Sequence, residues 1–127
     1  PTVLAGVTAK MNIFNNEVFG PVASIIKFSS LEEAIDLTNL SDFALAASVW
    51  TNNKAEAETL AAKINAGTVW VNTYGMFYNE APYGGFKQSG FGKELGREGF
   101  LEYCRLKSII EDTTESAKPL VNYWYGF

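Results

Sequence analysis

Residues 46–72 read AASVWTNNKAEAETLAAKINAGTVWVN, and the fold turns on this stretch. Ala46–Thr51 is a short, buried-looking apolar run, and Gly67–Asn72 is a second one that ends on a turn residue. Between them a helix is predicted to start near Asn53, a residue type suited to the cap, with Glu56 three residues on. Ala57, Leu60, Ala61 and Ile64 then recur at helical spacing. Gly67 is expected to end this helix in the left-handed conformation that glycine adopts without penalty.

Working outward toward the N-terminus, Val22–Phe28 (VASIIKF) is rich in β-branched residues and reads as another strand. It is followed by Ser30-Leu-Glu-Glu33, a capping box. The Ser30 hydroxyl accepts an orphan backbone N–H, and Glu33 can reach back to another. Glu32 and Glu33 also complement the positive end of the helix dipole. Ala34, Ile35 and Thr38 then line one face. The resulting order is β-α-β-α-β, with right-handed crossovers and apolar strands suited to burial on both faces. The expected architecture is α/β: an open, mostly parallel sheet covered by helices.

Toward the C-terminus, Thr73–Gly92 carries Tyr74, Phe77, Tyr78, Tyr83, Phe86, Phe91, Pro82 and several glycines without helical or strand period. A long aperiodic segment in a compact domain is usually a functional loop. A third helix is expected from about Glu94 to Cys104, then a strand over Leu106–Ile110. A tail over Glu111–Phe127 opens polar and closes on Tyr123, Trp124, Tyr125 and Phe127.

Composition narrows the function. The 127 residues suit one domain, and 10 basic against 14 acidic side chains leave a net charge of −4. That lacks the electrostatic footprint of a phosphate-backbone binder, so no nucleic-acid partner is expected. With no His, every His triad, His metal ligand and near-neutral His switch is excluded. A single Cys, Cys104, excludes an internal disulfide and a multi-Cys zinc site, so no metal is expected. The longest apolar run, Ala44–Trp50 broken by Ser48, is far too short to span a bilayer. No membrane partner is expected, and cysteine usage fits a cytoplasmic setting. The chain opens on Pro1 without Met, an expectation of a processed product or a piece of something longer.

Several familiar motifs fail on inspection. Gly90-Phe-Gly92 followed by Gly96 is one residue too long for a dinucleotide fingerprint, and it follows a loop instead of a strand. Gly92-Lys93-Glu94 lacks the Ser/Thr of a P-loop. Ser89 has no nucleophile-elbow context. Cys104, expected on an apolar helix face, has no base beside it and reads as structural. Glu17, before a Gly-Pro turn that feeds a strand, is open to two readings. It is either a surface carboxylate or one that hydrogen-bonds a diol such as ribose.

Four strings in order resemble the C-terminal part of NAD(P)-dependent aldehyde dehydrogenases. They are EVFGPV (Glu17–Val22), LTNLSDFALAASVWT (Leu37–Thr51), AGTVWVNTY (Ala66–Tyr74) and APYGGFKQSGFGKELGREGFLEY (Ala81–Tyr103). The likeness runs from about Pro1 to Ile110. Ala81-Pro-Tyr-Gly-Gly85 and the ending Pro119–Trp124 resemble the betaine-aldehyde branch, although Tyr83 stands where that branch has Trp.

The resemblance implies oxidation of an aldehyde with NAD or NADP and water to a carboxylate. In the family a Cys thiolate attacks the carbonyl, hydride passes to nicotinamide, and a Glu-activated water releases the acid. The nucleophile, the base and the Gly-rich cofactor fold have no counterpart among these residues, so the resemblance assigns no catalytic residue here and Cys104 does not match. It assigns Glu17 to the nicotinamide ribose and Phe19 to the nicotinamide side. Phe77 and Tyr83, with Met76 as a weaker candidate, are assigned to the aldehyde tunnel. Phe86 and Phe91 are expected to be ordinary packing. Gly84, Gly85, Gly90 and Gly92 are expected to serve tight backbone geometry. Residues 1–105 correspond to the end of the catalytic domain, and 106–127 to an assembly strand and aromatic tail. The implied partners are the remainder of such a chain, the aldehyde, and copies of itself in a dimer or tetramer. Two other readings stay open: a non-catalytic structural or oligomerisation module, and a ligand-binding domain that keeps only the aromatic pocket.

Overall fold

The computed structural model of the chain describes residues 1–111 and residue 113. In order, the elements are β1 (Thr2–Ala5), α1 (Asn12–Asn15), β2 (Val22–Ile25), α2 (Leu31–Leu40) and β3 (Phe43–Ala44). Then follow β4 (Ala46–Val49), α3 (Lys54–Lys63), β5 (Thr68–Val71), β6 (Phe86–Lys87) and α4 (Gly96–Leu101). The class is α/β with parallel strand pairs, as expected, and the β-α-β-α-β order holds in β2, α2, β4, α3 and β5.

The strands form three ribbons in place of one continuous sheet. β4 and β5 pair in parallel, Ala46 opposite Thr68 and Val49 opposite Val71, so α3 is the crossover that the sequence requires. β2 pairs with β1, also in parallel, and not with β4. β1 is only TVLA, too short to show a period in the sequence. Both β1 and β2 are exposed along their length, because a two-stranded ribbon supplies no layer to cover its faces. β3 makes a two-residue antiparallel contact with β6, which lies within the segment 73–92 expected to be loop.

The helix starts follow from their caps. Ser30 Oγ accepts the Glu33 N–H at 3.1 Å, and the Glu33 carboxylate accepts from the Ser29 N–H. Asn53 caps α3 by accepting the Glu56 N–H at 3.2 Å. Ala57 is buried and Leu60, Ala61 and Ile64 are half-buried on the predicted face.

The role expected of Gly67 is corrected. α3 ends at Lys63 with Ile64 extended, and Gly67 does not adopt the left-handed conformation. A Cβ there would instead run into the Gly84 carbonyl, so glycine is required by close approach. The third helix is shorter than predicted, covering Gly96–Leu101. Cys104 lies beyond it and is exposed, not packed on a helix face. Phe91 is fully exposed and not packed. Leu106–Ile110 form no strand, since no partner strand lies beside them among the described residues. The tail aromatics Tyr123, Trp124, Tyr125 and Phe127 lie outside the described residues.

Among the described residues, the small core is Val7, Ala44, Val49, Ala57 and Trp70. No helix among them is long and apolar enough to cross a membrane, and no group of His, Cys, Asp or Glu gathers to hold a metal.

Candidate functional site

The site is built outward from Trp70, which β5 carries into the core at 8% exposure. Its indole Nε1–H donates to the Met76 carbonyl at 2.8 Å, folding the chain after β5 back over the strand. Three edge-to-face contacts follow: Trp70 on Tyr74 at 5.2 Å, Trp70 on Phe77 at 5.8 Å, and Phe77 on Tyr83 at 4.8 Å. Such spacings and angles let a ring's positive edge meet its neighbour's negative face. Trp70, Met76, Phe77, Tyr83 and Leu95 help wall an apolar hollow of about 160 Å³.

Tyr83 is pinned by its backbone. Its N–H donates to the Glu94 carbonyl and its carbonyl accepts from the Glu94 N–H, both at 2.7 Å. The following turn at Gly84–Gly85 is tight. A Cβ on Gly84 would crowd the Gly92 carbonyl, and one on Gly85 would crowd Ser89. Gly90 and Gly92 adopt φ of 112° and 79°, values that suit glycine. The backbone roles expected of these four glycines hold.

The structure therefore brings Met76, Phe77 and Tyr83 together. Glu17 and Phe19 stand apart, on the loop between α1 and β2. Among the described residues neither shares a hydrogen bond or ring contact with the aromatic group. Phe19 is 93% exposed and holds φ at 38°, an unusual conformation for a residue with a Cβ. The Glu17 side chain is exposed, and its carboxylate accepts no hydrogen bond from the described residues. A carboxylate with open acceptor positions and a ring with an open face suit a ribose and a flat heteroaromatic ring. The chemistry of both groups thus fits a nicotinamide nucleoside.

Two participants escaped the sequence reading. Trp70 passed as a strand residue, although its place inside GTVWVN on the β5 register marked it as inward-facing. Lys93 sits half-buried with Nζ at 2.8 Å from the Gly84 carbonyl and 3.2 Å from the Gly85 carbonyl. No motif marks a lysine that folds back onto a turn eight or nine residues earlier.

Comparison with known proteins places these features in a family context. The model of the aldehyde dehydrogenase family matches residues 1–109. Retinaldehyde dehydrogenase 3 of Mus musculus is 49% identical over 109 residues, 86% of this chain and 21% of that protein. Betaine aldehyde dehydrogenase of Bacillus subtilis (strain 168) is 41% identical over 126 residues, 99% of this chain and 25% of that protein. A point mutant of betaine aldehyde dehydrogenase from Staphylococcus aureus, crystallised with NAD+, superposes with a TM-score of 0.84 at 41% identity. That match covers 95% of this chain and 24% of the other. The chain thus spans about a fifth to a quarter of the length of these proteins.

Proposed function

Since the chain belongs to the aldehyde dehydrogenase family, we propose that it supplies the nicotinamide-ribose contact and part of the aldehyde tunnel of an NAD(P)+-dependent aldehyde dehydrogenase. The observation that carries this reading is the edge-to-face pair Phe77–Tyr83 on the wall of an apolar hollow, at 4.8 Å. The parent reaction is aldehyde, NAD(P)+ and water to carboxylate and NAD(P)H.

The bound cofactor supplies the hydride acceptor. In this reading the Glu17 carboxylate accepts hydrogen bonds from both ribose hydroxyls, which fixes the rotation of the nucleoside. The Phe19 ring covers one side of the flat heteroaromatic group. Phe77 and Tyr83, with Met76 beside them, exclude water from the aldehyde path and guide the carbonyl inward. None of these side chains is proposed as the nucleophile or as the base that activates water, so in this reading the chain by itself orients reactants without transforming them.

The substrate class follows from the lining. Aromatic faces attract a quaternary ammonium with roughly 0.5–2 kcal/mol per contact. An aldehyde bearing a trimethylammonium or related amino group is therefore the proposed substrate, with betaine aldehyde the leading candidate. The setting proposed is the cytoplasm. Leu106, Ile109 and Ile110, exposed and without a partner strand among the described residues, are proposed to pair with another copy in a dimer or tetramer.

Glu17→Gln in the dehydrogenase that carries this segment tests the cofactor assignment. It keeps the shape and removes the charge, and a hydrogen bond to a charged group is worth about 1.5–3 kcal/mol. Steady-state kinetics against NAD+ are expected to show about a ten- to hundredfold loss in kcat/KM. Constants within twofold of wild type would remove Glu17 from the cofactor site.

A further inference from the structure

The turn that carries Tyr83 is gripped twice by one neighbouring dipeptide. Glu94 holds the Tyr83 backbone through its paired hydrogen bonds, and Lys93 holds the next two carbonyls through its side chain. The Lys93 ammonium also stands 4.6 Å from the centroid of the Phe86 ring. Among the described residues no carboxylate lies within ion-pair distance of it; the ion pair present is the exposed Lys54–Glu58. Its charge is thus met by two carbonyl oxygens and a ring face. Three N–H donors on one small head suit that set, since two carbonyls from consecutive residues face the same side.

Gly84 and Gly85 leave the backbone room to approach, but their freedom also leaves the turn soft. A turn made of two glycines keeps no single shape without an outside hold, and the side chain just before it takes its direction from that shape. Tyr83 is that side chain.

We infer that Lys93 is a positioning residue: by fastening the Gly84 and Gly85 carbonyls it sets the direction of Tyr83 against Phe77. This rests on the reading above only for its consequence in catalysis, namely that a misdirected Tyr83 opens the aldehyde path. The geometric part stands without it.

The test compares Lys93→Met, which keeps the stem over Phe86 and loses the donors, with Lys93→Arg, which keeps donors and charge. In the full chain, nuclear Overhauser contacts between the Phe77 and Tyr83 rings are expected to vanish in Lys93→Met and to persist in Lys93→Arg. The Trp70 indole N–H signal is expected to stay in place in both. Ring contacts unchanged in Lys93→Met would overturn the inference. If Lys93→Met does not fold, Lys93→Gln, too short to reach both carbonyls, carries the same expectation and the same contrary result. In the dehydrogenase, Lys93→Met should raise the KM for the aldehyde by about three- to tenfold and leave the KM for NAD+ within about twofold, with Lys93→Arg restoring the first. Lost ring contacts with an unchanged aldehyde KM would support the positioning role and contradict the assignment of Tyr83 to the aldehyde path.

Discussion

The indole N–H of Trp70 donates to the main-chain carbonyl of Met76, six residues on, at 2.8 Å. This bond closes the segment after β5 over the strand and brings Met76 and Phe77 to the hollow that Tyr83 also lines. It joins the core to the site, because among the described residues Trp70 is the one side chain that belongs to both.

Trp70→Phe keeps an aromatic ring in the core and deletes the donor. The Met76 carbonyl then loses its partner, which costs about 1–3 kcal/mol if it stays away from water. Urea unfolding of the chain should show a lower midpoint, and the contacts of Phe77 with Tyr83 should weaken. An unchanged midpoint would mean that the loop is held by other means.

The isolated chain is expected to produce no NADH from betaine aldehyde or propanal with NAD+. Its cysteine, Cys104, is exposed and lies past the end of α4, with Sγ 3.7 Å from the Phe100 carbonyl. Among the described residues no base stands beside it to form the thiolate that attack on a carbonyl requires. Steady NADH formation by the pure chain would contradict this.

Ile109→Asp tests assembly. Leu106, Ile109 and Ile110 are 102%, 85% and 92% exposed, an apolar stretch with no partner strand among the described residues. A charge placed within a strand that joins two copies should block pairing. Light scattering of the dehydrogenase should then report a smaller oligomer, and an unchanged mass would show that this segment joins nothing.

The helices were legible because their signals are local. Ser30 and Asn53 cap α2 and α3 as the residue types predict, and Ala57, Leu60, Ala61 and Ile64 face inward as their spacing predicts. The pairing of strands was legible only where a crossover lay inside the chain, as for β4 and β5. β2 turned to β1 because register depends on which edges meet, and a four-residue strand carries no mark of its partner. Gly67 shows the same limit. Its sequence context fits a helix stop, but its need for glycine comes from Gly84, which approaches from seventeen positions away. The aromatic character of residues 73–92 was plain in the sequence. Which rings would touch was not, since that depends on the Trp70 hydrogen bond and on the pairing of Tyr83 with Glu94.

The central claim is that Phe77 and Tyr83 form an aromatic wall suited to a cationic aldehyde. The most direct measurement is kcat/KM of the dehydrogenase for betaine aldehyde against 3,3-dimethylbutanal, its neutral isostere of the same shape. Two ring contacts at roughly 0.5–2 kcal/mol each predict a preference for the cation of at least about fivefold. That preference should shrink in Tyr83→Leu. Equal rates, or a preference for the neutral aldehyde, would contradict the claim.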